Sequence, residues 1–256
     1  MTGWYSNIPD VGLAKKIDKY FRHRLLHLNI YSTAIDTINW SLQQTDIAKE
    51  KRLRVADMGC GTGWLTAYLS QLKEIEIIFA IDKDLTYFTP SSNEIKKLFP
   101  NVQLAKIKSM KERFRMACEK LKNIDMLIYC ASIHHTSSLR KQLKKSIECL
   151  SENGCIIIIN EDKYGRKELS ALAVKSILSN LKKGKIKSTI KIVWEWMTHG
   201  YFIYDTKLGD HAYKEITLIK ELERLGLKIE KKYYTNSAYK IVDGRPQLFS
   251  IMAKKV

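Results

Sequence analysis

Proline is scarce in this chain, with four among 256 residues, and no low-complexity tract or internal repeat interrupts it. Disordered segments are poor in apolar residues, whereas 45% of this chain is apolar, so a long disordered region is excluded. No run reaches the roughly 18 consecutive apolar residues that a membrane-spanning helix needs. The first ten residues lack the charged-then-apolar layout of a secretory signal. The five cysteines, Cys60, Cys118, Cys130, Cys149 and Cys155, show no metal-ligand spacing. No metal site is expected, and reduced thiols in a cytoplasmic protein fit best.

Acidic side chains are also in short supply, 27 against 44 Lys and Arg, for a net charge of +17. The shortage is local. Residues 1–50 hold six basic and five acidic side chains, and residues 163–256 hold twenty and nine. The stretch 163–191 has nine Lys/Arg against one acid, Glu168. Such a stretch attracts nucleic acid, phosphorylated metabolites or anionic lipid. A composition rich in Lys and Ile throughout accounts for it equally well.

What the chain does have is a change of rhythm. Apolar residues at helical spacing predict helices over about 13–28 and 31–42, and a polar break follows at 43–52. Short apolar runs at 54–58, 76–81, 102–106, 126–131 and 155–159 then alternate with helical stretches at 64–72, 85–98, 110–121 and 139–150. Near-continuous apolar strands between helices predict a doubly wound, mostly parallel α/β sheet covered on both faces. After Asp162 the alternation stops for about 50 residues, basic first and then aromatic (Trp194, Trp196, Tyr201, Phe202, Tyr204). A helix over about 212–225 ends at Gly226, a C-cap candidate. Two closing strands, 227–234 and 247–254, form an antiparallel pair around the turn residues 243–246. The expected organisation is an N-terminal helical cap over 1–50 and a main domain over 51–256, with a lid-like insertion at about 163–212.

The first strand runs straight into Asp57-Met58-Gly59-Cys60-Gly61-Thr62-Gly63, and a helix begins at Trp64. Glycines let the backbone approach a ligand and take positive φ, and ligands of open α/β sheets bind outside the carboxyl ends of the strands. The dinucleotide fingerprint would need glycine at position 64, which is Trp, and a phosphate loop would need Gly-Lys-Ser/Thr, which is absent.

The pattern D-x-G-x-G-x-G resembles the first motif of the class I S-adenosylmethionine-dependent methyltransferases, with a Rossmann-like seven-stranded sheet. The resemblance covers roughly residues 53–162. Asp125 to His135 is similar to the family's fourth strand and the loop after it, and Cys149 to Gly154 with four following isoleucines is similar to its helix, glycine turn and fifth strand. The resemblance implies S-adenosylmethionine as cofactor, leaving as S-adenosylhomocysteine. It places Gly59, Cys60, Gly61 and Gly63 under the methionine part and Asp57 at the amino end. Asp82, at the end of the second strand, holds the ribose hydroxyls, as a carboxylate accepting two donors can. Lys83, Ser109, Met110 and Cys130 complete the expected cofactor contacts. The family's acid near the adenine amino group is missing from 106–110, where Ser109 or a backbone carbonyl takes its place.

Methyl transfer from a sulfonium asks the protein mainly to align acceptor and methyl and to exclude water. A base is needed only when the acceptor carries a proton. His135 and His134, after the fourth strand, are the candidate bases, His135 being the closer match to the loop histidine that the resemblance implies, and packing or backbone hydrogen bonding is their plainer role. Glu161 and Asp162 after the fifth strand either face an acceptor amine or cap the next segment. His199 and His211 reach the site only if the insertion folds over it. The insertion aromatics, with Trp4 and Tyr5, are candidates for an acceptor pocket or plain packing. The function expected is a methyltransferase for a small-molecule O or N acceptor of anionic or aromatic character; the alternatives are an RNA methyltransferase using the basic 163–191 stretch and, after it, a non-catalytic binding protein. The base-stacking Asn/Asp-Pro-Pro-aromatic motif is absent after strand four, which reads Ala131-Ser132-Ile133-His134.

Overall fold

A computed structural model describes residues 30–44, 52–136, 138–163, 166–199, 201–205, 210–235 and 247–255. The helix expected over 13–28, Trp4, Tyr5 and the turn at 243–246 lie outside these residues. So do the side chains of Asp162, His199 and His211.

Seven strands form one sheet: β1 Leu53–Met58, β2 Ile75–Asp82, β3 Ile107–Lys111, β4 Ile124–Cys130, β5 Leu150–Lys163, β8 Leu227–Thr235 and β9 Gln247–Lys255. Their order is β3-β2-β1-β4-β5-β9-β8. The first five pair in parallel, and β9 runs antiparallel to both β5 and β8. The order reverses between β1 and β4, which puts a crevice at their carboxyl ends.

The strands are apolar on both sides because both faces are covered. Ala56, Leu127, Tyr129, Ile156 and Ile158 enter one core with α4 (Phe114–Lys120), α5 (Leu139–Cys149) and α8 (Glu215–Arg224). Their neighbours Val55, Met126, Ile128, Ile157 and Ile159 enter the other, with α1 (Ile30–Gln44), α2 (Trp64–Ser70) and α3 (Asn93–Leu98). This alternation follows from the two-residue period of a strand. The buried Tyr129 hydroxyl is satisfied by Ser146 at 2.7 Å and Gln142 at 2.8 Å, as a buried polar group requires. All five cysteines are free thiols. No helix of the described residues is long and apolar enough to cross a membrane.

The insertion is a helical pair, α6 Arg166–Lys182 and α7 Ile186–His199, followed by a hairpin of β6 Tyr201–Asp205 and β7 Asp210–Tyr213. It has a small core of its own, built on Leu169, Ala173, Ile192, Phe202 and Ala212.

Several expected elements are displaced, shortened or lengthened. The third strand is not 102–106 but Ile107–Lys111, and Leu104–Lys106 forms a short 3-10 turn before it. This strand is the sheet edge and is largely exposed, so it needs little apolar character, and the more apolar run before it gave the stronger signal. The helix expected from 110 consequently starts at Phe114. The helix expected over 85–98 is only Asn93–Leu98, capped by Ser92, because Pro90 breaks the run. The fifth strand, expected over 155–159, is longer and absorbs the expected glycine turn, Leu150–Lys163, and the helix expected from 212 starts at Glu215, because Asp210–Tyr213 forms β7. Gly226 follows α8 with φ +82°, and β8 and β9 pair antiparallel, both as expected.

Candidate functional site

The glycine turn is held from below by the neighbouring strand. Gly59 and Cys60 donate their N–H groups to the Ile81 carbonyl at 2.7 and 3.1 Å, and Gly63 donates to Cys60 at 2.8 Å. Gly59, Gly61 and Gly63 all take positive φ, +84°, +51° and +85°, a conformation cheap only for glycine. Their surroundings differ. A Cβ on Gly59 would lie 2.6 Å from Ser132 Cβ, and one on Gly63 would lie 2.8 Å from the Phe88 ring. Among the described residues, a Cβ on Gly61 would meet only the Gly59 carbonyl, at 4.0 Å. The outer glycines therefore serve the protein's own packing, and the middle one leaves its space to something else.

Asp82 closes this cradle. One of its carboxylate oxygens accepts the Gly61 N–H and the other the Asp84 N–H, each at 3.1 Å. Asp57 lies below, buried, and accepts a 2.7 Å hydrogen bond from the Thr66 hydroxyl. Burial, with a smaller push from Asp82 and against the Thr66 hydrogen bond, raises its pKa from 3.8 to about 7. Thr62, buried within the turn, has a hydroxyl with no hydrogen-bond partner among the described residues.

No protein-family model matches the chain. Solved structures do. The chain superposes on a magnesium protoporphyrin IX methyltransferase of Synechocystis PCC 6803 with bound S-adenosylhomocysteine at TM-score 0.59 and 13% identity, covering 96% of this chain and 97% of that one. The class I S-adenosylmethionine-dependent methyltransferase fold is thereby shown. A 1,6-didemethyltoxoflavin-N1-methyltransferase of Burkholderia thailandensis has the same methyltransferase fold (TM-score 0.53, 12% identity, 96% and 88% covered). So does a methyltransferase in complex with the Trm112 activator of Haloferax volcanii (TM-score 0.57, 13% identity, 98% and 100% covered). Among curated proteins, the methyltransferase-named protein 235L of Invertebrate iridescent virus 6 is 29% identical over 129 residues, 46% of this chain and 45% of that protein. The chain thus matches just under half the length of that relative.

Within this methyltransferase fold the expected cofactor residues divide. Asp57, Gly59, Cys60, Gly61, Gly63 and Asp82 come together at the ends of β1 and β2. Lys83 is exposed just beyond. Ser109 and Met110 are not in a loop after the third strand but inside β3, opposite Ala80 and Ile81. The residue that follows β3 is Glu112, whose N–H donates to the Asp82 carbonyl at 2.9 Å and whose carboxylate pairs with Lys120. An acid does stand at the end of the third strand, and the displaced strand concealed it. Cys130 ends β4. Burial pushes its thiol pKa up, as it does for Cys60, and Asp57 adds to both shifts, so neither is a thiolate nucleophile.

The loop after β4 is organised by Glu161. Ala131, at φ +49°, terminates the strand, and His134 and His135 follow in a 3-10 turn, Ile133–His135. Across from it, β5 is irregular between Ile158 and Glu161, where Asn160 takes φ +57°. An irregularity of this kind re-aims a side chain next to a site. Glu161, 1% exposed, accepts four hydrogen bonds: Ser132 N–H at 3.0 Å and Ile133 N–H at 3.2 Å on one oxygen, His134 Nδ1 at 3.0 Å and the Tyr213 hydroxyl at 2.7 Å on the other. Burial alone would raise its pKa, but the charge and hydrogen bond of His134, with Tyr213 and His135, hold it below the usual glutamate value. An ionised carboxylate only accepts, so Nδ1 of His134 carries the proton and the basic lone pair of the neutral ring is on Nε2. His135 is exposed, and its ring lies against His134 tilted by 55°, with ring centres 4.1 Å apart.

Of the insertion aromatics, Phe202 is buried in the small core with Trp196 tilted against it at 6.1 Å. Tyr213, which the sequence did not single out, joins the insertion to the Glu161 cluster. Among the described residues no group of three or more His, Cys, Asp and Glu is arranged to hold a metal.

Proposed function

We propose that this protein is an S-adenosylmethionine-dependent methyltransferase acting on the O or N atom of a small-molecule acceptor. The observation that carries the reading is Gly61: positive φ, space above it that no described residue fills closer than 4.0 Å, and the Asp82 carboxylate alongside. When bound, S-adenosylmethionine supplies an electrophilic methyl group on a sulfonium. Gly59, Cys60, Gly61 and Gly63 form its seat and Asp82 takes the ribose hydroxyls. Asp57, its pKa raised to about 7 by burial, takes the amino end, whose positive charge favours the ionised carboxylate. Thr62 offers a hydroxyl within the turn. Glu112 fills the place of the acid near the adenine amino group, in preference to Ser109 and Met110, and Lys83 and Cys130 border the seat.

His134 is the better base of the two histidines. A carboxylate on Nδ1 fixes the tautomer and supports the positive charge that forms when Nε2 takes a proton. Glu161 is then a positioning residue and does not itself face an acceptor amine. The insertion over 163–212 serves as a lid, tied to the loop after β4 through Tyr213. Two proteins of the same fold are named for small aromatic molecules, magnesium protoporphyrin IX and 1,6-didemethyltoxoflavin, which is in keeping with an aromatic acceptor. An RNA acceptor is the second reading, favoured by exposed Lys182, Lys183, Lys185 and Lys187.

Incubation with S-adenosylmethionine carrying a tritiated methyl group, with a metabolite extract or with total RNA, separates the two. Label is expected in the small-molecule fraction and is expected to drop for His134→Ala. Label in RNA alone would replace the acceptor assignment.

A further inference from the structure

The helical pair of the insertion buries one side and leaves an apolar side in water. On α7, Ile192 and Glu195 face inward with Trp196 half-buried. On the opposite side, Ile186, Ile190, Val193, Trp194 and Met197 are all exposed, Met197 at 80% and Ile190 at 63%. At 100° per residue these five occupy one arc of about 100°, with Lys187 and Lys191 along its border. Helix α6 repeats the plan. Leu169, Ala173, Ser176 and Asn180 are inward, Val174, Leu178 and Leu181 are exposed, and Lys175 and Lys182 border them. The turn between the helices adds Lys183 and Lys185, both exposed. Solvent-facing apolar stripes of this extent mark a surface that meets a partner.

We propose that the α6–α7 pair is a docking surface for an anionic lipid membrane, with the apolar arc of α7 seated among the acyl chains and the bordering lysines on the headgroups. A helix of this length, about 21 Å, is too short to cross a bilayer of about 30 Å. An apolar arc carrying a tryptophan and bordered by lysines is what lies in the plane of the interface. Charge selects this occupant over the others. Residues 1–29 of the chain, although amphipathic, carry five Lys/Arg and two Asp, so their charge does not complement the lysine border. A second copy would bring the same lysines against themselves. RNA would satisfy the lysines but has no use for exposed Ile186, Ile190 and Met197, since single-stranded binders stack bases on aromatic rings. An anionic bilayer satisfies both the apolar arc and its border.

The test is co-sedimentation of the full chain with phosphatidylcholine vesicles, with and without about one third phosphatidylserine. The protein is expected to pellet with the anionic vesicles, to pellet far less with pure phosphatidylcholine, and to be released by salt. The variant Ile190→Ser, Trp194→Ser, Met197→Ser is expected to lower partitioning at least about tenfold. Charge reversal at Lys182, Lys183, Lys185 and Lys187 is expected to remove the preference for phosphatidylserine. All seven positions are exposed, and circular dichroism confirms that the variants fold. Four results would each overturn the proposal: wild type that does not pellet with anionic vesicles; pelleting that the serine variant leaves unchanged; a wild-type dimer in analytical ultracentrifugation that the serine variant dissociates without any vesicle binding; and binding of mixed RNA but not of vesicles. If the serine variant instead exposes residues 1–29 to protease while vesicle binding is unchanged, the occupant is the chain's own N-terminal segment.

Discussion

The two buried carboxylates at the carboxyl ends of the sheet behave oppositely. Asp57, at the end of β1, has a hydrogen bond from Thr66 but a pKa raised to about 7. Glu161, at the end of β5, accepts four hydrogen bonds and is held below the ordinary glutamate value. Burial penalises both. The difference is supply: Glu161 has its full set of donors inside the protein, and Asp57 does not. The glycine-turn side of the site is therefore built for a partner from outside, and the Glu161 side is internally complete. On the proposed function, the first takes the cofactor and the second positions His134.

Removing Glu161 should break the comparison most severely. Glu161→Leu leaves the Ser132 and Ile133 N–H groups, Tyr213 and a histidine without their acceptor. A loss of about 3–5 kcal/mol is expected for a broken buried charged network, read by urea denaturation. A loss under about 1 kcal/mol would show that the network is not structural.

The pH dependence of stability sharpens the contrast. Asp57 has a folded pKa above its unfolded value, so its contribution is fully present below about pH 4 and is lost as pH rises through about 7. Relative to Asp57→Asn, wild type should lose on the order of 4 kcal/mol across that window. Glu161, with its pKa lowered, should act in reverse: its contribution is present above pH 4.5 and is lost as pH falls below. Denaturation series at several pH values for Asp57→Asn and Glu161→Gln should diverge in these directions, and parallel curves would contradict the assignment.

A smaller effect on stability, with a larger one on binding, is expected at Gly61. Alanine there costs about 1–2 kcal/mol for its φ, with no clash among the described residues, but its Cβ occupies the cradle. Gly59→Ala should cost more stability, because it also meets Ser132. Thermal melts and S-adenosylhomocysteine titrations of the two variants check the order.

How much of this was legible in the sequence depended on burial. Strands β1 and β4, apolar on both faces, were readable to within two residues, and so was the glycine turn, whose positive φ values only glycine takes cheaply; β5 was readable only in its apolar centre, 155–159 of Leu150–Lys163. The edge strand β3 was not, since Lys108, Ser109 and Lys111 carry no apolar signal, and Glu112 was lost with it. Nor was the Glu161 cluster, whose donors lie 27 to 52 residues away in sequence and meet only because β4, β5 and the insertion hairpin converge. The basic character of 163–191 was plain, but the apolar arc of α7 appears only once its buried side is known.

Calorimetric titration of S-adenosylhomocysteine into wild type and Asp82→Ala tests the central claim most directly, that the glycine-turn side awaits this cofactor. Losing hydrogen bonds to a charged acceptor costs roughly 1.5–3 kcal/mol, about ten- to a hundredfold in affinity. Wild type is expected to bind S-adenosylhomocysteine and not NAD, and Asp82→Ala to bind it that much more weakly while staying folded by circular dichroism. Binding of NAD with no binding of S-adenosylhomocysteine, or equal affinity in the two proteins, would contradict the account.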